Sequence, residues 1–183
     1  MNQLIKALQI VIPWLEDHDI SYMVFGGVAN SFYGRPRQTF DIDIKISLNL
    51  DEELSRFLHD IKKIGTIIPE NPFQFIKETM VCPVEVHDTK IDFVIAGLPF
   101  EKEAVQRSIR QEIFGISMKV CQVEDLIIQK AISTRDKDWE DIEGIISTQE
   151  TLDWSYINRH AKELSGFLNN SDILNRLTRL KDE

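Results

Sequence analysis

Two aspartates at alternate positions of an apolar run are the residues of this chain best placed to do chemistry. The run reads Phe40-Asp41-Ile42-Asp43-Ile44, and a glycine pair, Gly26-Gly27, precedes it. Side chains of a strand alternate between its faces, so Asp41 and Asp43 share one face while Ile42 and Ile44 turn into a core. Two carboxylates held side by side repel each other unless a cation sits between them. Hard oxygen ligands suit Mg²⁺, which takes one or two carboxylates together with substrate phosphates. The glycine pair lets the backbone approach a bulky anion closely. A helix starting there turns free N–H groups toward phosphate. Metal on one side and phosphate on the other is the layout of phosphoryl or nucleotidyl transfer.

The elements that must hold these groups follow from hydrophobic period and turn residues. Tyr22–Phe25 reads as a short buried strand and Gly26–Tyr33 as a helix, with Gly34 as its C-cap. Residues 35–39 form a loop, and residues 40–46 are the strand that carries the acids. Ahead of them Asn2–Asp17 has a helical stripe of Leu4, Leu8, Val11 and Leu15, and Pro13 predicts a kink or restart within it. Asn49 or Asp51 is expected to cap a helix running to residue 64. Residues 79–86 and 90–95 read as a hairpin turning at His87-Asp88-Thr89, with Pro83 placing the first strand at an edge or bulge. Residues 100–107 read as a helix, and 109–114 with 116–120 as a second hairpin across Gly115. From residue 122 onward the pattern is helical throughout, over 123–133, 138–147, 154–168 and 172–180. The expectation is an α+β core over residues 1–121 and a helical part over 122–183 packed on it.

Composition narrows the class. The chain has 183 residues, 43% of them apolar, as in a globular protein. No apolar run approaches the about 20 residues that span a bilayer. Residues 1–6 carry no basic region leading into an apolar signal core, so a cytoplasmic protein without a membrane partner is expected. Cys82 and Cys121 form no CxxC pair and read as reduced, buried thiols. A net charge of −9 argues against coating nucleic acid through bulk charge. It leaves room for an RNA end in a local basic pocket and fits a carboxylate-rich site that recruits divalent metal. His18, His59, His87 and His160 are scattered without metal-ligand spacing. Trp139 and Trp154 are expected to pack between helices.

Gly26-Gly27, a short helix, Arg37-Gln38-Thr39-Phe40-Asp41-Ile42-Asp43 and a third acid in Lys90-Ile91-Asp92-Phe93-Val94 together resemble the polymerase-β-like nucleotidyltransferase superfamily. The stretch 123–130, with Arg135-Asp136-Lys137-Asp138-Trp139-Glu140-Asp141, is similar to the helical portion of the branch that includes the AbiEii-type toxins. The likeness runs over residues 22–146. It implies a mixed sheet flanked by helices, with a C-terminal helical part. It also implies Mg²⁺-dependent transfer of a nucleoside monophosphate from an NTP to an acceptor hydroxyl. In that reading Asp41, Asp43 and Asp92 are catalytic and hold two Mg²⁺ ions, Asp92 serving as general base or bridging ligand, with Glu85 and Asp88 as rivals. Gly26, Gly27, Arg37, Thr39 and Lys130 bind the nucleotide; Arg37 pairs with a phosphate or with the carboxylates, and Lys130 either meets phosphate or snorkels at its helix end. One departure stands out: many members carry Gly-Ser where this chain has Gly26-Gly27. The acceptors implied are a tRNA end, a protein or a small molecule, and a toxin would have an antitoxin partner. The competing reading is a non-catalytic nucleotide-binding or interaction module on the same fold.

Overall fold

Alternating apolar residues give seven strands. The computed structural model, which describes residues 2–133, 135–170 and 172–182, arranges them in one mixed sheet. In chain order the elements are α1 (Asn2–Asp17), β1 (Tyr22–Phe25), α2 (Gly26–Tyr33), β2 (Asp41–Ile46), α3 (Leu54–Ile61), β3 (Thr66–Ile67), α4 (Pro72–Thr79), β4 (Val81–Val86), β5 (Thr89–Ile95), α5 (Pro99–Arg107), β6 (Ile109–Ile113) and β7 (Ile116–Val120). Four helices follow: α6 (Val123–Ala131), α7 (Asp136–Thr148), α8 (Trp154–Phe167) and α9 (Asp172–Asp182). The sheet order is β3-β4-β5-β2-β1-β7-β6. Strand β2 runs parallel to β5 and antiparallel to β1, and β1 runs parallel to β7.

The chain divides into two units. One contains the sheet, with residues up to Val28 and then Gln38–Cys121; the other takes Ala29–Arg37 and the described residues from Gln122 onward. The division falls inside α2. No helix of the described residues is long and apolar enough to cross a membrane.

In the sheet unit the core forms on the face opposite Asp41 and Asp43. Ile42, Ile44 and Ile46 of β2 and Ile91, Phe93 and Ile95 of β5 are all buried there. Trp14 of α1, Phe57 of α3 and Phe93 stack edge to face, with centroids 5.6 to 6.5 Å apart. Burying one such isoleucine contributes about 1.5–3 kcal/mol. A one-residue slip of β2 would exchange Ile42 for Asp43 in this core, so burial fixes which face carries the acids.

Several local expectations need correction. Helix α1 continues through Pro13, so no restart occurs there. Ile12, Trp14 and Leu15 are buried around it, and their packing offsets the lost backbone bond. Helix α3 starts only at Leu54, with Glu53 at the N-cap. Asn49 and Asp51 instead form a turn in which Asn49 Oδ1 accepts from the Asp51 N–H at 3.1 Å. Helix α4 is absent from the pattern read above, although Asn71-Pro72 announces it: Asn71 caps the Gln74 N–H and Pro72 opens the first turn. Strand β4 lies between β3 and β5 rather than at an edge. Pro83 falls where the short β3 ladder ends: the Ile68 N–H donates to the Pro83 carbonyl at 3.0 Å, and the proline forgoes only the return bond of that last pair. The hairpin turn is His87-Asp88 alone, both residues left-handed, and Thr89 already belongs to β5. Gly34 does follow the last residue of α2, its N–H donating to the Asn30 carbonyl at 2.9 Å, but without the left-handed backbone of a glycine cap. A Cβ there would lie 3.0 Å from Ile145 Cγ1, so a side chain would press on its neighbour.

Candidate active site

The sheet unit gathers six of the residues singled out by the sequence. Asp41 and Asp43 project from one face of β2, and the parallel register sets Asp41 beside Lys90 and Asp43 beside Asp92. On its other side Asp43 faces Phe25, the last residue of β1. The chain then turns through Gly26 with φ +62°, and a Cβ at that position would sit 1.9 Å from Asp43 Oδ2. Gly26 therefore meets two demands at once, a left-handed backbone and a seat for a carboxylate. Gly27 has no such backbone demand. It is glycine because a Cβ would lie 2.4 Å from Thr39 Oγ1. The Thr39 hydroxyl lies within hydrogen-bond reach of Asp41, 3.1 Å from its Oδ1 and 3.2 Å from its carbonyl. The glycine pair is thus the floor on which Asp43 and Thr39 rest.

Asp92 is held differently. Its Oδ2 accepts from Lys90 Nζ at 2.6 Å. Its Oδ1 is buried and has no hydrogen-bond partner among the described residues. Of the rivals, Glu85 is an exposed β4 residue in register with Lys90, and Asp88 belongs to the hairpin turn. Among the described residues no three His, Cys, Asp or Glu side chains are gathered closely enough to hold a metal as they stand. The donors nonetheless suit Mg²⁺: three carboxylates on adjacent strands, one with a buried oxygen that nothing satisfies.

Further along the same face of β2, Lys45 is buried and ion-paired with Glu101. Its ammonium lies 5.1 Å from the centre of the Phe25 ring. Burial pushes the Glu101 carboxyl up, but Lys45 and the N–H groups of Leu98 and Gly97 outweigh it and hold the group below its ordinary range. Cys82 of β4, fully buried, has its thiol pushed up to about 12 by burial and then by the charge of Asp92. It is an inert packing residue.

Arg37 and Lys130 lie in the helical unit, both turned toward Asp141. Arg37 grips Asp141 through Nε and Nη2, each at 3.0 Å. Lys130 Nζ donates to Asp141 Oδ2 at 2.6 Å and to Asp138 Oδ1 at 3.1 Å. Asn30 adds a third contact to Asp141, and Arg135 one to Asp138. The Lys130, Asp138 and Asp141 side chains are 4 to 7% exposed, so the lysine is held in an internal network. Burial pushes both carboxyls up. For Asp141 the bonds from Arg37 and Lys130 outweigh it, and for Asp138 those from Ser133, Arg135 and Lys130, leaving both below their ordinary value. Sequence reasoning missed Asp141 as the hub. Its only signal was a second acid one turn beyond Asp138 on a helix.

The model of a family described as "Nucleotidyl transferase of unknown function (DUF2204)" matches residues 4–183. No curated protein matches the sequence. Among solved structures, the antibiotic-resistance factor ANT(2'')-Ia aligns with 92% of this chain and 94% of its own, at TM-score 0.64 and 13% identity. A nucleotidyltransferase-like protein from Paracoccidioides brasiliensis aligns with 96% of this chain and 93% of its own, at TM-score 0.55 and 14% identity. The lincosamide antibiotic adenylyltransferase LnuA aligns with 79% of this chain and 97% of its own, at TM-score 0.51 and 16% identity. At these identities the likeness is one of fold, and the fold is the polymerase-β-like nucleotidyltransferase fold. None of these matches points to the AbiEii-type branch in particular.

Proposed function

Starting from a chain that belongs to the family of nucleotidyl transferases of unknown function, we propose that its sheet unit moves a nucleoside monophosphate from an NTP to an acceptor hydroxyl, with Mg²⁺ held in a two-metal site by Asp41, Asp43 and Asp92. The observation that carries this reading is the Asp43–Asp92 rung, set beside Gly26 with one Asp92 oxygen buried and unsatisfied. Bound there, Mg²⁺ would neutralise charge on the phosphates and acidify the acceptor hydroxyl. Asp41, Asp43 and Asp92 would hold the metal, with Thr39 fixing the Asp41 carboxylate. Asp92 takes the proton of the acceptor hydroxyl, whose oxygen bonds to the α-phosphorus as the bond to pyrophosphate breaks. The N–H groups that open α2 at Gly26-Gly27 receive the leaving phosphates.

A small molecule is the acceptor class with the most support. One structural neighbour was solved with adenylyl-2''-tobramycin and another with lincomycin. A net charge of −9 also suits a cationic acceptor better than a polyanion. A toxin acting on tRNA under an antitoxin has no comparable support. The test is transfer of label from each α-labelled NTP, with Mg²⁺, to a panel of hydroxylated cationic small molecules alongside total RNA and protein. Asp41→Ala with Asp43→Ala should abolish transfer without unfolding the chain; transfer retained in that double variant would overturn the assignment. One observation favours a binding-only module instead, namely that Lys90 already engages the third acid.

A further inference from the structure

Lys90 is the cation that the ladder sets on the rung of Asp41, beside the other two acids. It stands on the same rung as Asp41, and Asp43 and Asp92 occupy the next rung on the same face. Its ammonium reaches along its own strand to Asp92 Oδ2 at 2.6 Å. Three carboxylates on adjacent rungs repel one another, and this contact neutralises one of them. The Lys90 side chain is 52% exposed and that of Asp92 18%, so the pair is held at the surface and contributes little to stability. Such a pair yields readily to a divalent ion, which concentrates twice the charge on the same oxygens. The second Asp92 oxygen, buried without a partner, remains as a waiting donor.

We propose that the Lys90 ammonium is the resident counter-charge of this acid face and is exchanged for a divalent cation when the site loads. The proposal rests on the metal reading above. Lys90 is then a positioning residue: it keeps the acids at close quarters without metal and moves outward to solvent when metal arrives. On this view the Lys90–Asp92 pair is the unloaded state of an enzyme rather than the mark of an inert domain.

The test is a calorimetric titration of the purified protein with Mn²⁺ alone, without nucleotide. Removing the lysine charge removes a competitor, so Lys90→Met should bind Mn²⁺ about fivefold more tightly, and Lys90→Arg should stay near the wild-type affinity. Metal-free Lys90→Met should melt only slightly below the wild type, its acids no longer countered, and recover when Mn²⁺ is added. Unchanged or weaker Mn²⁺ binding by Lys90→Met, with wild-type binding intact, overturns the exchange and leaves the metal reading standing. Absence of Mn²⁺ binding by the wild type overturns both.

Discussion

At the scale of single residues, the Asp43 carboxylate and the Thr39 hydroxyl occupy the space that side chains at Gly26 and Gly27 would need. Period-two alternation alone put Asp41 and Asp43 on one face, because a strand allows no other arrangement. The glycines read as room for a substrate anion. In the structure, the space at Gly26 is taken by the Asp43 carboxylate and the space at Gly27 by the Thr39 hydroxyl. This second duty depends on where β2 lies against the start of α2, which no local pattern encodes. It gives a sharp expectation for Gly26→Ala. The left-handed backbone costs about 1–2 kcal/mol for any residue with a Cβ, and displacing Asp43 adds to it. Thermal unfolding should move down, and Mn²⁺ affinity should fall with it, in contrast to Gly115→Ala. Gly115 is also left-handed, but a Cβ there meets nothing within 4 Å, so only the backbone cost applies. Cys82 supplies a second check at this scale. With its thiol held near 12, native protein at pH 8 should resist alkylation there and become reactive only on unfolding.

At the scale of elements, α6 and α7 are joined by charges rather than by apolar packing alone. Lys130 sits between Asp138 and Asp141 with almost no exposure, so removing it leaves two carboxylates buried together. Breaking a buried pair from one side costs about 3–5 kcal/mol. Lys130→Met should therefore lower the denaturant midpoint substantially. Lys130→Met with Asp141→Asn should recover part of the loss, since the second change removes one of the stranded charges. Sequence periodicity located these helices within a few residues of their observed bounds. It could not locate the network, because Arg37, Lys130 and Asp141 come from three separate segments and nothing in any one of them names the other two as partners. For the same reason residues 29–37 looked like part of the sheet core. What ties them to the helices is Asn30 and Arg37 meeting Asp141 across more than a hundred residues of chain.

For the whole molecule, these held-down carboxyls set the response to acid. The groups of Glu101, Asp138 and Asp141 all lie below their ordinary values of 4.5, 3.8 and 3.8 in the folded protein. An unfolded chain would bind protons to them at higher pH than the native one does. The stability they contribute is therefore complete above those ordinary values and drains away as pH falls through the lower native ones. Unfolding free energy measured from neutrality downward should be nearly flat to about pH 5 and then fall steeply. Asp141→Asn should start lower and fall less steeply, having one such group fewer. The net charge of −9 was plain from composition, but which carboxylates couple to folding depends on Lys45, Lys130 and Arg37 lying against them.

The link His87-Asp88 divides the chain into places where its length is free to vary and places where it is not. Val86 and Thr89 close the hairpin on either side, and the two link residues are exposed. Added residues there would lengthen a surface loop, at a cost of about 0.6 kcal/mol per doubling of its length. A peptide tag or fluorophore should be accepted at this point. Within 89–95 the arithmetic is odd and even: one inserted residue would trade the places of Ile91 and Asp92, sending a carboxylate into the core and an isoleucine into the acid face. Natural length variation among relatives is accordingly expected to collect at the link and to stop where β5 begins.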